Sequence, residues 1–449
     1  MKRKTNFWFS ALLLAVLLSG CQSQNPSQPP ASAENVQNDS VKDTPNATAE
    51  KGQIASSENH SQKDAPNSQP PGSEPVCLTV WGGEEDEGLL LQIFEGFQAH
   101  YQGQADFQIT YMPQSESHCT DALMGDLENG ADVFAFADDQ LNTLVAAGAL
   151  EPVENAQAIR EANLPEAVLA ASVDDTLYAL PLTADNGYFL YYNTQYFTQE
   201  DIKSLDKMLD IAAAQGKKVS MEWSSGWYVY SLFGNTGLTV GLNDDGITNY
   251  CTWNATQGRI KGIDVARAMR DIAAHPGFLS TDDAGFLAGV QDGSIIAGVN
   301  GVWNCVAVEK AWGNGYGAAK LPSYACAGQQ VQMASFSGYK LLGVNAYSKQ
   351  REWAARLAEW ISNEENQKLR FQLRGQGPSN INAAASEEVQ NAPAIVALLE
   401  QSEYSFPQRI GGNYWAPVIA FTEEILAGNP SGQSLQELLD AMVEGITAP

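Results

Sequence analysis

The sequence is short of positive charge. Its 449 residues carry 25 Lys+Arg against 53 Asp+Glu, a formal net charge of −28. Neutralising phosphates needs a Lys/Arg excess, so this balance argues against nucleic-acid binding and against adhesion to an anionic membrane by charge. Histidine is scarce as well: His60, His100, His118 and His275 are all there is, and nothing around them resembles a Ser-His-Asp or Cys-His arrangement. One long apolar run exists, Phe7 to Leu18. It is too short for a comfortable membrane span of about 20 residues, and no second run follows. Cysteine is sparse. Besides Cys21 there are Cys77, Cys119, Cys251, Cys305 and Cys326, whose spacings match no zinc pattern. Five is odd, so at least one is unpaired unless it bonds another chain, and structural thiols or an optional disulfide are expected rather than a catalytic thiol. Neither a metal site nor a cofactor is expected. These absences leave neutral ligands, cationic ligands and ordinary soluble enzymes.

The chain opens on Met1-Lys2-Arg3-Lys4, then the apolar run, then Leu18-Ser19-Gly20-Cys21. A basic start and a short apolar stretch make residues 1–20 a secretory signal. The ending resembles a bacterial lipobox, which implies a diacylglycerol on Cys21 and a tether to the membrane. Residues 21–75 are Ser, Asn, Gln, Pro, Ala and Glu with almost no large apolar side chain. Such a segment cannot offset its ordering entropy by burial, and it reads as a disordered stalk. The globular region is then 76–449, ample for more than one core.

Within it, Leu78–Trp81 reads as a strand, Leu89 to Phe97 as an amphipathic helix, and 106–112 and 131–137 as further strands. Gly148 marks the end of a helix over Leu141 to Val145. Extended segments follow at 177–182 and 188–192, then a helix over 202–215 and a strand over 219–222. Helices are expected over 263–274, 284–292 and around Trp353–Ile361. Strands are expected over 295–299 and 336–344, with helices from Pro393 to Ile446 broken at Gly428-Asn429-Pro430. Strands alternating with helices define an α/β fold. The strand ends carry acids and aromatics: Trp81 with Glu84 to Asp86, Phe136 with Asp139, then Asp185, Trp227 and Trp303. Ligands of open α/β sheets bind outside the carboxyl ends of the strands. Aromatic faces pack on the C–H face of a pyranose while carboxylates and amides accept its hydroxyl hydrogens.

Several ordered blocks carry a resemblance: Leu78-Thr79-Val80-Trp81; Gly130 to Phe134 with Gly148-Ala149-Leu150; Leu180-Pro181-Leu182 with Asn186-Gly187-Tyr188; Asp292-Gly293-Ser294 to Asn300-Gly301-Val302-Trp303; and Arg374 to Pro378. Over about 78–446 the chain is similar to the extracellular solute-binding proteins of ABC sugar importers, maltose/maltodextrin-binding type. That resemblance implies a two-lobed periplasmic-binding-protein-like fold with hinge crossovers near 183–186, 320–323 and 384–388. Lobe one would be 76–183 and 323–385, and lobe two 186–320 and 388–449. It implies an oligosaccharide ligand, ABC permease subunits as partners, a likeness to monomers, and no catalysis. Binding positions carry over to Glu84, Glu85 or Asp86; to Phe136 and Asp139; to Asp185 with Asn186; and to Trp227 or Tyr228, Trp303, and Tyr414 or Trp415. Where the maltose type has Arg after the acid of the third strand, this chain has Gln140. Truncating Trp303 is expected to abolish affinity at little cost in stability. Three other readings stand beside this one: a receptor for another sugar, a receptor for a cationic small molecule such as a polyamine, and a secreted glycosidase with two facing carboxylates.

Overall fold

The computed structural model describes residues 74–449. The signal, Cys21 and nearly all of the expected stalk lie outside the described residues. No described helix is long and apolar enough to cross a membrane.

The fold is built on two mixed sheets. In the first, Val76–Gly82 runs parallel to Phe107–Pro113 and to Val133–Ala137. The edge-side strand Phe107–Pro113 alternates between the core and solvent, whereas Val133–Ala137 is buried almost throughout. A ten-residue strand, Ser335–Val344, is buried along its whole length. It lies antiparallel to Val133–Ala137 and to Ala179–Asn186. Helices Glu87–His100 and Arg351–Ile361 cover this sheet with apolar faces at helical spacing: Leu90, Ile93, Phe94 and Phe97 from one, Ala354, Leu357, Ala358 and Ile361 from the other. Trp353 and Trp360 sit 6.5 and 6.2 Å from Phe97, ring to ring. Each fully buried Leu, Ile or Phe contributes about 1.5–3 kcal/mol. Beside this core, Lys340 and Glu116 form an ion pair of 2.7 Å with both side chains only 2% exposed.

The second sheet has the order Phe278–Leu279, Lys218–Ser220, Ile295–Asn300, Phe189–Asn193, Tyr316–Ala319. Helices Leu205–Ala214, Gly226–Phe233, Gly262–Ala273 and Asp283–Asp292 belong to this half of the chain. The strand expected over 219–222 spans Lys218–Ser220, and a helix begins at Gly226. Gly148, with φ of 66°, follows helix Leu141–Ala146 in the left-handed conformation that suits glycine. The last helix, Leu435–Ile446, starts at a reciprocal Ser434–Glu437 capping box, after a break where Gly428 and Asn429 take positive φ.

The chain passes between the sheets at Gly187-Tyr188, leaving Asn186 in the first and entering Phe189 in the second. It returns from Ala319 through a hairpin, Ser323–Cys326 with Gln329–Gln332, to Ser335. One later segment differs from the expected partition, which gives 388–449 to the second lobe. Ser405–Pro407 pairs in parallel with Ser335–Ser337 of the first sheet. Just beyond it, Arg409 O accepts from Leu242 N at 3.1 Å and Gly411 N donates to Asn249 Oδ1 at 2.7 Å, both on the other side. Cys77, Cys119, Cys251, Cys305 and Cys326 are all free thiols.

Candidate functional site

Two tryptophans define the candidate face. Trp227 lies in the first turn of helix Gly226–Phe233, and Trp303 in the turn that follows strand Ile295–Asn300. Their rings are 6.0 Å apart and inclined by 39°. Tyr188 packs edge-on to Trp227 at 4.6 Å and donates from its hydroxyl to Trp227 O at 2.9 Å. Trp303 is seated over Gly301, where a Cβ would meet the indole ring at 1.8 Å. The indole N–H donates to Asp283 Oδ2 at 2.7 Å. The other oxygen of Asp283 accepts from Asn300 at 2.7 Å and from Asn304 at 3.3 Å.

Asp283 was not among the sequence candidates. A signal existed in the doubled acid Asp282-Asp283 at a helix start. Asp282 caps that helix by accepting from Gly285 N at 2.8 Å, so the second acid is not needed as a cap. A second missed acid, Glu222, is buried next to this group and accepts from Ser224 Oγ at 3.1 Å. Burial, and then the charges of Asp283 and Asp282, push its carboxyl up to about 7. Burial likewise raises Asp283, against the pull of its three donors; Glu85, from the first sheet's leading loop, adds to the rise by charge. Glu84 and Glu85 are exposed on that loop, directly after strand Val76–Gly82. Tyr111 holds the loop by donating to Gly83 O.

Other sequence candidates are placed differently, within the core or in internal ion pairs and hydrogen bonds. Asp86 does not project from the turn as its neighbours do. It is buried and bridges Arg370 and, at 3.1 Å, Arg374. Burial alone would raise its carboxyl, but Arg370, Lys340 and Arg374 hold it below the ordinary range. Phe136 has no exposed surface and packs against Phe134 in the core, opposite Leu341. Asp185 also has none: its carboxylate accepts from Thr183 Oγ1 at 2.8 Å and Gly377 N at 2.6 Å, and burial raises it to about 6. It staples the first passage between sheets to the Arg374–Pro378 block. Asn186 is buried beside it and lines a space of about 10 Å³ with Ser335, Ser337 and Gln401. Tyr414 is fully buried, with its hydroxyl on Gly226 O at 2.8 Å, and so anchors the start of the helix that carries Trp227. Tyr228 is buried behind Trp227, 5.1 Å ring to ring.

Asp139 is half-buried and accepts from Gln408 Nε2 at 2.8 Å, while its neighbour Asp138 accepts from Tyr339 N at 2.7 Å and pairs with Arg409 at 3.4 Å. Gln140 clamps the 116–120 segment, accepting from Thr120 N at 3.0 Å and donating to Glu116 O at 2.7 Å. Trp415 remains half-exposed against Tyr414. Of the sequence candidates, Trp227 and Trp303 come together as one aromatic pair, while Trp415, Glu84 and Glu85 keep exposed surface. A larger hollow of about 360 Å³ lies elsewhere, lined by Asn235, Arg259, Gln329, Gln332 and Tyr404 among others. Its amides are already engaged, Asn235 with Gln332 O and Gln332 with Leu321 O, which makes it a poorer receptor than the tryptophan face.

Two mixed α/β units joined by repeated crossings are the architecture of a two-lobed binding protein. A family model for bacterial extracellular solute-binding proteins matches residues 92–397, and the chain belongs to that family. It is 26% identical to a galactooligosaccharide-binding protein of Bacillus subtilis (strain 168) over 340 residues, 74% of this chain and 79% of the relative. It is 23% identical to a maltooligosaccharide ABC transporter solute-binding lipoprotein of Streptococcus pneumoniae R6 over 346 residues, 73% and 80% of the two chains. Among solved structures, one with acarbose is similar at 30% identity and a TM-score of 0.75, covering 83% of this chain and 99% of the other. The fold is shared with a maltodextrin-binding protein of L. casei BL23 without ligand, at 21% identity and a TM-score of 0.68 over 84% and 100%.

Proposed function

We propose that this protein is the substrate-capturing component of an ABC carbohydrate importer and takes an uncharged oligosaccharide, of the malto-oligosaccharide type, between its lobes. The observation that carries this reading is the Trp227–Trp303 pair, two indoles 6.0 Å apart beside acids that accept hydrogen bonds. Aromatic faces cover the apolar side of a pyranose, and acceptor-only carboxylates suit hydroxyl hydrogens. The relatives' maltooligosaccharide and galactooligosaccharide ligands support the same class. Contacts from Glu84 and Glu85 on one lobe and the tryptophans on the other would favour the closed form, a population shift rather than a reaction. The ligand would then pass unchanged to permease subunits. In this reading residues 76–183 with 323–385 form one lobe and 186–320 with 388–449 the other, except that Ser405–Pro407 pairs with the first sheet. The mature chain is a monomer held on the extracytoplasmic face of the membrane by lipid on Cys21.

Thermal shift against a panel of maltotriose, a galacto-oligosaccharide and spermidine tests it, since a ligand stabilises by RT ln(1 + [L]/Kd). Stabilisation by maltotriose is expected. Stabilisation by spermidine alone would overturn the sugar reading, and shortening of the oligosaccharide during incubation would overturn the absence of catalysis.

A further inference from the structure

The indole of Trp303 is fixed from two sides that no ligand need touch. Gly301 lies under the ring, where a methyl group would collide with Cζ3 at 1.8 Å and Cη2 at 2.0 Å. Its backbone, φ −103° and ψ 179°, is open to any residue, so the glycine is required by the ring and not by the turn. On the ring's edge, Asp283 accepts the N–H at 2.7 Å. Asp283 is in turn held by Asn300 at 2.7 Å and Asn304 at 3.3 Å. Asn300 also receives the amide of Gly301 at 2.8 Å, which closes a loop from the glycine to the acid. The acids that face this group are Glu222 and Asp282 from its own side and Glu85 from the other sheet's loop.

From this we infer that Asp283 is a positioning residue: together with Gly301 it sets the plane of Trp303, so that the indole meets a ligand by its face alone. The indole N–H, already donated to a carboxylate, is not offered to sugar hydroxyls. A ligand must therefore present an apolar C–H face to this ring. The inference rests on the sugar reading for its ligand, and on geometry alone for the cradle.

The test uses the full chain and four variants: Asp283→Asn, Gly301→Ala, Trp303→Phe, and Asp283→Asn combined with Trp303→Phe. Asparagine at 283 has one acceptor oxygen where three donors now converge. Without ligand, the indole N–H resonance of Trp303, assigned by its loss in Trp303→Phe, should move in both Asp283→Asn and Gly301→Ala. With maltotriose, each of these should bind about tenfold more weakly than wild type, equivalent to about 1.4 kcal/mol. Phenylalanine keeps a stacking face but has no N–H, so adding Asp283→Asn to Trp303→Phe should change affinity by less than about twofold. An equal loss in both backgrounds would mean that Asp283 meets the ligand itself and would overturn the positioning role. Unchanged affinity in Asp283→Asn and Gly301→Ala would also overturn it. Gly301→Ala leaves Asp283 in place and so decides the matter if Asp283→Asn fails to fold. If wild type binds no oligosaccharide, the sugar reading fails by itself. The ligand-free resonance still tests the cradle, and an unmoved signal in both variants refutes it.

Discussion

The most demanding prediction concerns Asp86, whose place in the sequence suggests a ligand-binding acid and whose surroundings are those of a buried ion pair. Asp86→Ala would strand the guanidinium of Arg370, which is 2% exposed and whose remaining partner is Gln376 Oε1 at 2.8 Å. Removing one member of a buried pair costs about 3–5 kcal/mol, because the survivor keeps its desolvation penalty. With a urea m-value of about 3 kcal/mol/M, the midpoint should fall by about 1–1.7 M. The assay is urea unfolding followed by tryptophan fluorescence. A control separates charge from volume: Asp86→Leu with Arg370→Met replaces the pair by apolar side chains and should recover most of the loss. Maltotriose affinity of the folded double variant should stay near wild type. If Asp86→Ala unfolds within about 0.5 kcal/mol of wild type, the range of an ordinary surface change, and loses affinity, the burial reasoning is wrong and Asp86 is a ligand contact.

Trp227→Ala and Trp303→Ala should each abolish measurable maltotriose binding by calorimetry. Trp303, only 8% exposed and hydrogen-bonded to Asp283, should also lose about 3–5 kcal/mol of stability, contrary to the small cost expected from sequence. Stability should fall as pH rises. Asp138 and Glu222 are raised to about 7 and Asp185 to about 6, chiefly by burial. A carboxyl raised on folding contributes most below its unfolded value and loses that contribution as pH climbs through its folded value. Tm at pH 5.5 should therefore exceed Tm at pH 8 by several degrees; a flat or reversed profile refutes the shifts. Asp86, held below 3.8, does not oppose this within that window. A thiol reagent at neutral pH should label Cys77 first, since it is exposed, while Cys119, Cys305 and Cys326 are buried and Cys251 is raised to about 12 by burial. Rapid labelling of all five in the native protein would contradict this burial.

The elements were legible because their signals are local. Leu90, Ile93, Phe94 and Phe97 recur at helical spacing, and the all-apolar run of Val133–Ala137 needs no partner to be recognised as a buried strand. The site was legible only in part. Trp227 and Trp303 stand at element starts, and Glu84 and Glu85 lie exposed in the turn after the first strand. Asp86 is chemically indistinguishable from these acids in sequence. What buries it is Arg370, 284 residues away along the chain, and no local pattern contains that pairing. The same holds for Asp185, fixed by the Gly377 amide, and for Tyr414, fixed by Gly226 O. Asp283 was overlooked because an acid at a helix start has an ordinary explanation. Only the cap from Asp282 shows that explanation to be already satisfied.

The long strand Ser335–Val344 sets the order in which the chain can finish folding. It fills the space between Val133–Ala137 and Ala179–Asn186, and it brings Lys340 to Glu116. All of those partners are synthesised long before it. Until it arrives, both neighbouring strands keep open edges and Glu116 has no countercharge from Lys340. Long-range pairing of this kind is slow because loop closure precedes any reward. The first sheet therefore closes only once residues 335–344 have joined it, after most of the polypeptide is made.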